Sequence, residues 1–551
     1  MNLLVCIATV LMVLVLPAAG NPAEPAAAPA GKAEVRWRQD QQGRRLDFAA
    51  PGSVASVAFL RRPDGARDVL VLIRSAADES VGNAQAALYR LAFVPDASAE
   101  PLRGDVPAAT RSVLALSAPA ANRLGMLALA LPGKLLGIEP GPEGRYAEPI
   151  RMLVADSELD LRSMGPDPQR PEYLEAPAAL WIPLIGKLRA YAVDAGARDA
   201  AGPLWRAVAD VGAPVQPHLE DSLLELVGPP INALPEPAAE GRVRLLLGPD
   251  LVGHRRVRTV TLELSADQAP ASETSWGQLP SRQEILEHAY LAMHGASYLA
   301  VLTRSADKLS LFGEKLLQVF RLQADRTRQG LPPVMSLESR INLWQDTWIS
   351  AHDVNEDGLE DLILAYWKGL TKDHLAIDTY VATAVGQWRQ RPGTTAIALS
   401  EMDRSVLLYG SDLDGDRLAD LSVVGNDAVL VFSGRRGARN GGDLLADSAC
   451  RTFSIGHDPF ATTKPGATSP RRRRQISIAI GGPGRGASVD TGAAADKVAG
   501  RDSPWAPVFA RNPWPVDLDG DGRLELVMAG TSRPGEAYLL AVSPSPCAGT
   551  P

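Results

Sequence analysis

An acidic nine-residue segment occurs three times in the second half of the chain, and it limits what the chain can fold into. The copies begin at Asp353, Asp412 and Asp517 and read DVNEDGLED, DLDGDRLAD and DLDGDGRLE. They superpose without a gap, and each runs directly into an apolar stretch typical of a strand. A recurring loop-and-strand unit predicts a repeat protein rather than three unrelated acidic turns.

Short apolar and β-branched runs occur along the rest of the chain between Gly, Pro and Asp, as is typical of strands. Examples are DVLVLI, LGMLALAL, SYLAVL and DLILAY. Long amphipathic helical patterns are nearly absent, and the best of them extends from Ser281 to Met293. The sequence therefore predicts an all-β fold.

Weaker copies of the loop, which have lost most of their acids, occur around Asp64, Glu240 and His294. Where the copies follow one another directly, their spacing is roughly 60 residues, the size of one propeller blade. A closed ring leaves only short strand edges, and the N-terminal segment EVRWRQDQQGRRLDF is available to complete the last blade. We predict a β-propeller of seven or eight four-stranded blades over residues 35–551, with 434–504 as a loop-rich insertion or degenerate blade.

The acidic loops have the composition of a calcium site. Oxygens at alternating positions one, three and five converge when a loop curls tightly, and Ca²⁺ prefers six to eight hard oxygen ligands. An EF-hand requires a Glu at position twelve, where this chain has Leu364, Val423 and Met528. Like charges this close would repel one another without a cation, and Mg²⁺ suits such loops less well. We therefore predict calcium that braces its loop, since the visible side-chain ligands all come from that loop.

The pattern D-x-D/N-x-D-G-x-x-D, followed by Leu and then Ile or Val, resembles the FG-GAP or VCBS repeats of integrin α-chain propellers and many secreted bacterial proteins. The resemblance implies a β-propeller with calcium-binding loops in its C-terminal blades. It also implies the following ligands: Asp353, Asn355, Asp357, Asp361, Asp412, Asp414, Asp416, Asp420, Asp517, Asp519, Asp521 and Glu525. The chain departs from the pattern at Arg417, where Gly is expected, and at Glu525, where Asp is expected.

The N-terminus has the layout of a secretory signal peptide, with an apolar run from Leu3 to Pro17 followed by small residues up to Gly20. We predict a signal peptide over 1–20, cleaved near Gly20, a Pro/Ala-rich linker over 21–34, and a secreted or periplasmic protein. The run is shorter than the roughly 20 residues that span a bilayer, so no membrane span is expected in the mature chain. Cys450 and Cys547 then remain, either as a disulfide or as two free thiols.

The net charge of -8 and the pI near 5.6 argue against a nucleic-acid-binding protein, which needs basic surfaces. Neither HExxH nor G-x-S-x-G occurs, so the sequence predicts no catalytic residue set. We expect a monomeric, calcium-braced scaffold that binds an extracellular protein or carbohydrate. The alternatives are a polysaccharide lyase or hydrolase with its site at the propeller axis, and a cell-surface adhesion module.

Overall fold

A computed structural model gives the fold of most of the chain outside its N-terminus and the segment before the last blade. The residues that the structure describes are 33–74, 85–110, 112–116, 124–141, 144–159, 172–175, 178–184, 187–193, 205–212, 232–235, 242–247, 256–263, 272–278, 283–293, 296–305, 315–322, 332–338, 345–355, 357–368, 374–391, 395–398, 406–424, 428–435, 444–454, 477–479, 488–490, 514–533 and 536–547. Among them every regular element is a strand, and no helix is present that is long and apolar enough to cross a membrane.

Seven sheets of the described chain are antiparallel meanders of four consecutive strands, numbered here as blades 1 to 7. Blades 1 to 3 comprise β3 (Ser53–Arg61), β4 (Arg67–Arg74), β5 (Ala86–Leu91) and β6 (Pro101–Val106); β7 (Ser112–Leu116), β8 (Met126–Leu131), β9 (Lys134–Ile138) and β10 (Arg151–Ala155); and β11 (Glu172–Glu175), β12 (Ala178–Leu184), β13 (Lys187–Val193) and β14 (Trp205–Gly212). Blades 4 and 5 comprise β15 (Asn232–Pro235), β16 (Arg242–Leu247), β17 (Arg256–Glu263) and β18 (Ser272–Gln278); and β19 (Gln283–Met293), β20 (Ala296–Ser305), β21 (Lys315–Leu322) and β22 (Met335–Glu338).

Blades 6 and 7 follow the same plan with small additions. They comprise β23 (Gln345–His352), β24 (Asp361–Lys368), β25 (His374–Ala384) and β26 (Gln387–Gln390), with β27 (Thr395–Ala398) also on β25; and β28 (Val406–Ser411), β29 (Asp420–Val424), β30 (Ala428–Phe432) and β31 (Arg451–Ser454). A two-stranded hairpin, β32 (Ser477–Ala479) and β33 (Ser488–Asp490), lies between blade 7 and the last sheet in the sequence.

The eighth sheet joins the two ends of the chain, and we call it the closing blade. Its strands are β34 (Trp514–Val516), β35 (Glu525–Arg533), β36 (Glu536–Pro544), β2 (Gly43–Pro51) and β1 (Glu34–Gln39), in that spatial order. Antiparallel pairing of β2 with β36 places Phe48 opposite Leu539, and the Tyr538 hydroxyl donates to Asp47 at 2.5 Å. The predicted completion of the last blade by the N-terminal segment is therefore confirmed, with two strands rather than one, and we call β1 and β2 the latch.

The apolar runs of the sequence become middle strands because sheets stacked face to face bury both faces of those strands. All residues of β4 after its first are buried, and β36 is buried throughout after its first residue. Outer strands alternate instead: β1, with the sequence EVRWRQ, exposes every second residue along its first half. A continuous apolar run thus indicates a middle strand of a blade, and an alternating pattern indicates an outer strand.

The apolar core lies between neighbouring blades. One cluster packs the closing blade on blade 1 and includes Phe48, Val57 and Leu539, while another packs it on blade 7 and includes Val431 and Leu540. Further clusters join blades 1 and 2, blades 5 and 6, and blades 6 and 7. A last sheet that packs on both the first and the seventh closes a ring, so the fold is a β-propeller of eight blades in the described chain.

The strongest helical pattern of the sequence is a strand in the structure. Residues 283–293 form β19, which pairs with β20 from Gln283 opposite Ser305 to Met293 opposite Ala296. Cross-strand pairing in the blade outweighs the helical spacing of its apolar residues. The predicted signal peptide, all but the last residues of the linker, and most of the 434–504 region lie outside the described residues. Those boundaries stay predictions.

Candidate metal centre

The three acidic segments occupy equivalent places in consecutive blades. Residues 353–361 join β23 to β24 in blade 6, 412–420 join β28 to β29 in blade 7, and 517–525 join β34 to β35 in the closing blade. We call them loops L6, L7 and L8 and number their positions one to nine. In each, position nine is the first residue of the second strand, so all three loops connect the first two strands of their blades.

The loops share one pattern of internal hydrogen bonds. The carboxylate at position one accepts from the backbone N–H of position six, at 2.8, 2.9 and 3.2 Å in L6, L7 and L8. The side-chain oxygen at position three accepts from the N–H of position five at 3.0, 3.1 and 3.2 Å. Position five accepts from position seven at 2.8, 2.8 and 2.9 Å. Acids at odd positions therefore shape the loop as well as charging it.

Position six has a left-handed backbone in every loop. Its φ angle is 84° at Gly358, 70° at Arg417 and 88° at Gly522. Arg417 is the one non-glycine residue with positive φ among the described residues, and this conformation costs a side-chain-bearing residue about 1–2 kcal/mol. L7 therefore keeps the geometry of its neighbours despite departing from the sequence pattern.

The acids at position nine, Asp361, Asp420 and Glu525, are fully buried, and we call them the position-nine acids. Each accepts a hydrogen bond from the N–H of position two of its own loop, at 3.1, 2.8 and 2.7 Å in L6, L7 and L8. Asp361 and Asp420 also accept from the N–H groups of Ala382 at 2.7 Å and Gly434 at 2.9 Å, so they tie the loop to its blade.

Burial disfavours the charged form of these three carboxyl groups. It raises the pKa of Asp361 to about 6 and that of Asp420 and Glu525 to about 7. Neighbouring acids of the same loop raise each pKa further, while backbone N–H donors lower it. A cation beside these groups would relieve both desolvation and repulsion.

Carboxylate oxygens converge in two of the loops. In L7, carboxylate oxygens of Asp412, Asp414 and Asp420 lie within 4.8 Å of one another. In L8, the same holds for the acids at positions one, three and five, which are Asp517, Asp519 and Asp521. Such groups could hold a metal ion. L6 carries an amide, Asn355, at position three, and its acids do not form such a trio within the described residues. The structure thus brings together six of the predicted ligand side chains in two groups of three.

Arg44 is a residue of this site that sequence reasoning missed. It lies on β2 opposite Ser543, and its guanidinium enters L8 and donates to Asp519 and, at 3.3 Å, to Glu525. A third donation, at 2.9 Å, goes to the Ser543 hydroxyl, and Asp521 lies 3.9 Å away. The segment was predicted as a latch, but nothing in the sequence links Arg44 to a loop 475 positions away.

Neighbouring loops contact one another along this side of the ring. Arg523 of L8 lies against Gly415 of L7, where an added Cβ would come within 2.6 Å of its Nε. On the other side, the N–H of Arg67 in blade 1 donates to the carbonyl of Leu518 at 2.9 Å. L7, L8 and the β3–β4 loop of blade 1 therefore form a continuous row.

A disulfide fixes the C-terminus beside L7. Cys450, just before β31 in blade 7, is bonded to Cys547, which follows β36 in the closing blade. The backbone N–H of Cys547 also donates to Asp414 at 3.3 Å. Of the two alternatives left open by the sequence, the structure shows the disulfide. It links blade 7 covalently to the closing blade and is compatible with an oxidising compartment.

The chemistry of the loops is that of hard oxygen acceptors. Carboxylate and amide oxygens at this density suit Ca²⁺, whose ligands are oxygens at 2.3–2.6 Å. In L7 the three converging carboxylates fit such an ion, which would neutralise their charge. Since the loop's own backbone takes up many of the same oxygens, the arrangement favours bracing over catalysis.

No protein-family model matches the chain, and no curated sequence matches it. Among solved structures, similar chains include the dihydro-heme d1 dehydrogenase NirN, at 14% identity and TM-score 0.37, covering 79% of this chain and 78% of that one. The Nup133 β-propeller domain of Vanderwaltozyma polyspora matches at 9% identity and TM-score 0.35, covering 77% and 100%. A family AA12 carbohydrate-active enzyme of Trichoderma reesei, in a calcium structure, matches at 12% and 0.28, covering 57% and 90%. These similarities concern the fold alone.

Proposed function

We propose that the chain is an exported, calcium-braced β-propeller of the FG-GAP or VCBS type that serves as a rigid scaffold for binding an extracellular protein or glycan. The observation that carries the proposal is the shared hydrogen-bond pattern of L6, L7 and L8, which makes them copies of one acidic loop. Asp412, Asp414 and Asp420 are the side chains that would hold the ion in L7.

Export is supported by two features that are independent of the loops. The apolar N-terminal run has the layout of a signal peptide, and the Cys450–Cys547 disulfide suits a compartment where thiols are oxidised. In this proposal residues 1–20 are removed, 21–34 are a linker, and the propeller extends from residue 35 to the C-terminus.

A bracing role follows from where the acids sit. Each loop joins two strands of its own blade, and the position-nine acids of L6 and L7 also accept backbone N–H groups of that blade from beyond the loop. Neutralising the loop therefore stabilises the junction between the first two strands. A ligand would then bind to a rigid ring rather than to the ion.

Thermal unfolding of the mature chain across a calcium titration tests the bracing. An ion that binds the folded state alone stabilises it by about 2.7 kcal/mol for each site at a hundredfold excess over Kd. We expect the unfolding temperature to rise with calcium and much less with magnesium. Asp412→Asn should reduce the rise, whereas Asp447→Asn, on an exposed side chain of the same blade, should leave it unchanged.

Two results would contradict calcium binding: no calcium-dependent shift, together with no metal in elemental analysis of the purified chain. The scaffold role is tested separately with the calcium-loaded protein on a glycan array and on immobilised matrix proteins. We expect retention of an intact ligand. Release of shortened glycan, detected by mass spectrometry, would favour an enzyme instead.

A further inference from the structure

L8 differs from its two sister loops because a basic side chain already lies within it. The Arg44 guanidinium is bonded to Asp519 and Glu525 and lies 3.9 Å from Asp521. Asp519 and Asp521 are two of the three side chains whose oxygens converge in L8. The position that a metal would take is therefore shared with a fixed positive charge.

L7 shows the contrasting state. Its converging acids Asp412, Asp414 and Asp420 accept hydrogen bonds from backbone N–H groups of the loop. Asp414 also accepts one from the Ser433 hydroxyl. No ion pair between these three acids and a lysine or arginine occurs within the described part of the chain. Among the described residues, the three converging acids of L7 thus lack the arginine partner that those of L8 have.

Blade 1 provides an independent example of an arginine in this position. Its β3–β4 loop aligns with the acidic loops through Asp64, Gly65 and Asp68, and Gly65 keeps the positive φ of position six, at 93°. Position three is Arg62, which pairs with Asp64 at 3.2 Å and with buried Asp68 at 3.7 Å. Arg90 adds a second contact to Asp68 at 2.6 Å. This loop is balanced by arginine.

We propose that Arg44 is the resident cation of L8, so that the folded chain binds calcium in L6 and L7 but not in the closing blade. The inference rests on the proposed function for the other two loops, and in L6 the acids would draw together with the Asn355 amide when the ion binds. A Ca²⁺ ion bonded to the Asp519 or Asp521 oxygens at 2.3–2.6 Å would lie within a few ångströms of the guanidinium. Two cations so close repel each other strongly at a partly buried site.

Arg44 also helps to hold the closing blade together, because it lies on β2, the strand that closes the ring. Its contacts join β2 both to β36, through Ser543, and to the loop before β35, through Asp519. The closing blade is in this way held by an ion pair between the two ends of the chain. Metal removal should leave that blade intact while it loosens blades 6 and 7.

Counting bound calcium by native mass spectrometry of the mature chain tests the proposal, with dissociation constants from calorimetry. The wild-type chain should bind two ions and Arg44→Met three, because the vacated L8 then resembles L7. Arg44→Lys keeps the charge and should remain at two. Arg62→Met is the matched control: its loop lacks acids at positions one and three, so the count should stay at two.

A second pair of variants does not depend on removing Arg44. Asp519→Asn in the wild-type background should leave two ions bound, whereas Asp414→Asn should leave one. Three ions in the wild-type chain, or a loss on Asp519→Asn, would overturn the role of Arg44. No bound calcium in any variant would instead overturn the proposed function, and with it the premise of this inference.

Discussion

Replacing Phe48 by alanine should open the joint that closes the ring. Phe48 lies on β2, is 1% exposed, and packs against the core shared by the closing blade and blade 1. Its ring centroid is 5.1 Å from that of Tyr89 in blade 1. One side chain therefore contributes to both the latch and its neighbour.

The cost follows from this burial. Truncating a buried Phe to Ala removes its apolar contacts and leaves a cavity, which typically costs about 3–5 kcal/mol. Because every 1.4 kcal/mol is a factor of ten, amide exchange in β2 and β36 should accelerate by about a hundredfold or more where exchange proceeds through latch opening. Exchange in blade 5 should change less, since neighbouring blades share interfaces and distant ones do not.

Urea unfolding and hydrogen exchange measured by mass spectrometry check this prediction. Arg36→Ala is the control on the same latch, since Arg36 is largely exposed and pairs with exposed Glu34 at 3.0 Å, a contact worth at most about 1 kcal/mol. If Phe48→Ala cost less than about 1 kcal/mol, or if protection of β36 were unchanged, the latch would not be held by this core.

Three further predictions concern the disulfide and the loops. Replacing Cys450 and Cys547 together by serine should lower stability by about 4–5 kcal/mol at most, because the bond closes a loop with a sequence separation of 97; a midpoint in urea equal to that of the wild type would contradict this. Arg417→Gly should stabilise the chain by about 0.5–1 kcal/mol by relieving the positive φ, while Arg417→Ala should give no gain in the same melt. In chelator, the unfolding temperature should fall as pH rises from about 5 to 8, because the pKa values of the position-nine acids are raised to about 6 and 7 and their charged forms destabilise the fold. Calcium should reduce this fall. An unfolding temperature that rises with pH in chelator would refute the reasoning.

Much of the architecture could be predicted from local patterns. The apolar runs gave the middle strands, and the N-terminal segment was correctly assigned to the last blade, because burial and pairing leave a signature in a few consecutive residues. The Ser281–Met293 pattern was misleading for the same reason, since eleven residues with mixed spacing fit either element until a partner strand is known.

The site was predictable only in part. The regular spacing of the acids identified the loops, but the sequence alone does not show that Asp420 and the other two position-nine acids accept hydrogen bonds from backbone N–H groups. Arg44 could not be found from local sequence because its partners are brought to it by ring closure. Interactions of this kind depend on the complete fold rather than on spacing.

The closing blade also determines when folding can finish. Asp47 and Tyr538 meet across 491 positions of sequence, so β2 pairs with β1 on one edge but has no partner on the other until the last strand has been made and has left the ribosome. Until then β2 carries an unpaired edge, and such edges invite pairing with other chains. The delay would suit the export proposed above, because a propeller without its last strand cannot close before translocation. Truncation after β35 would make the delay permanent.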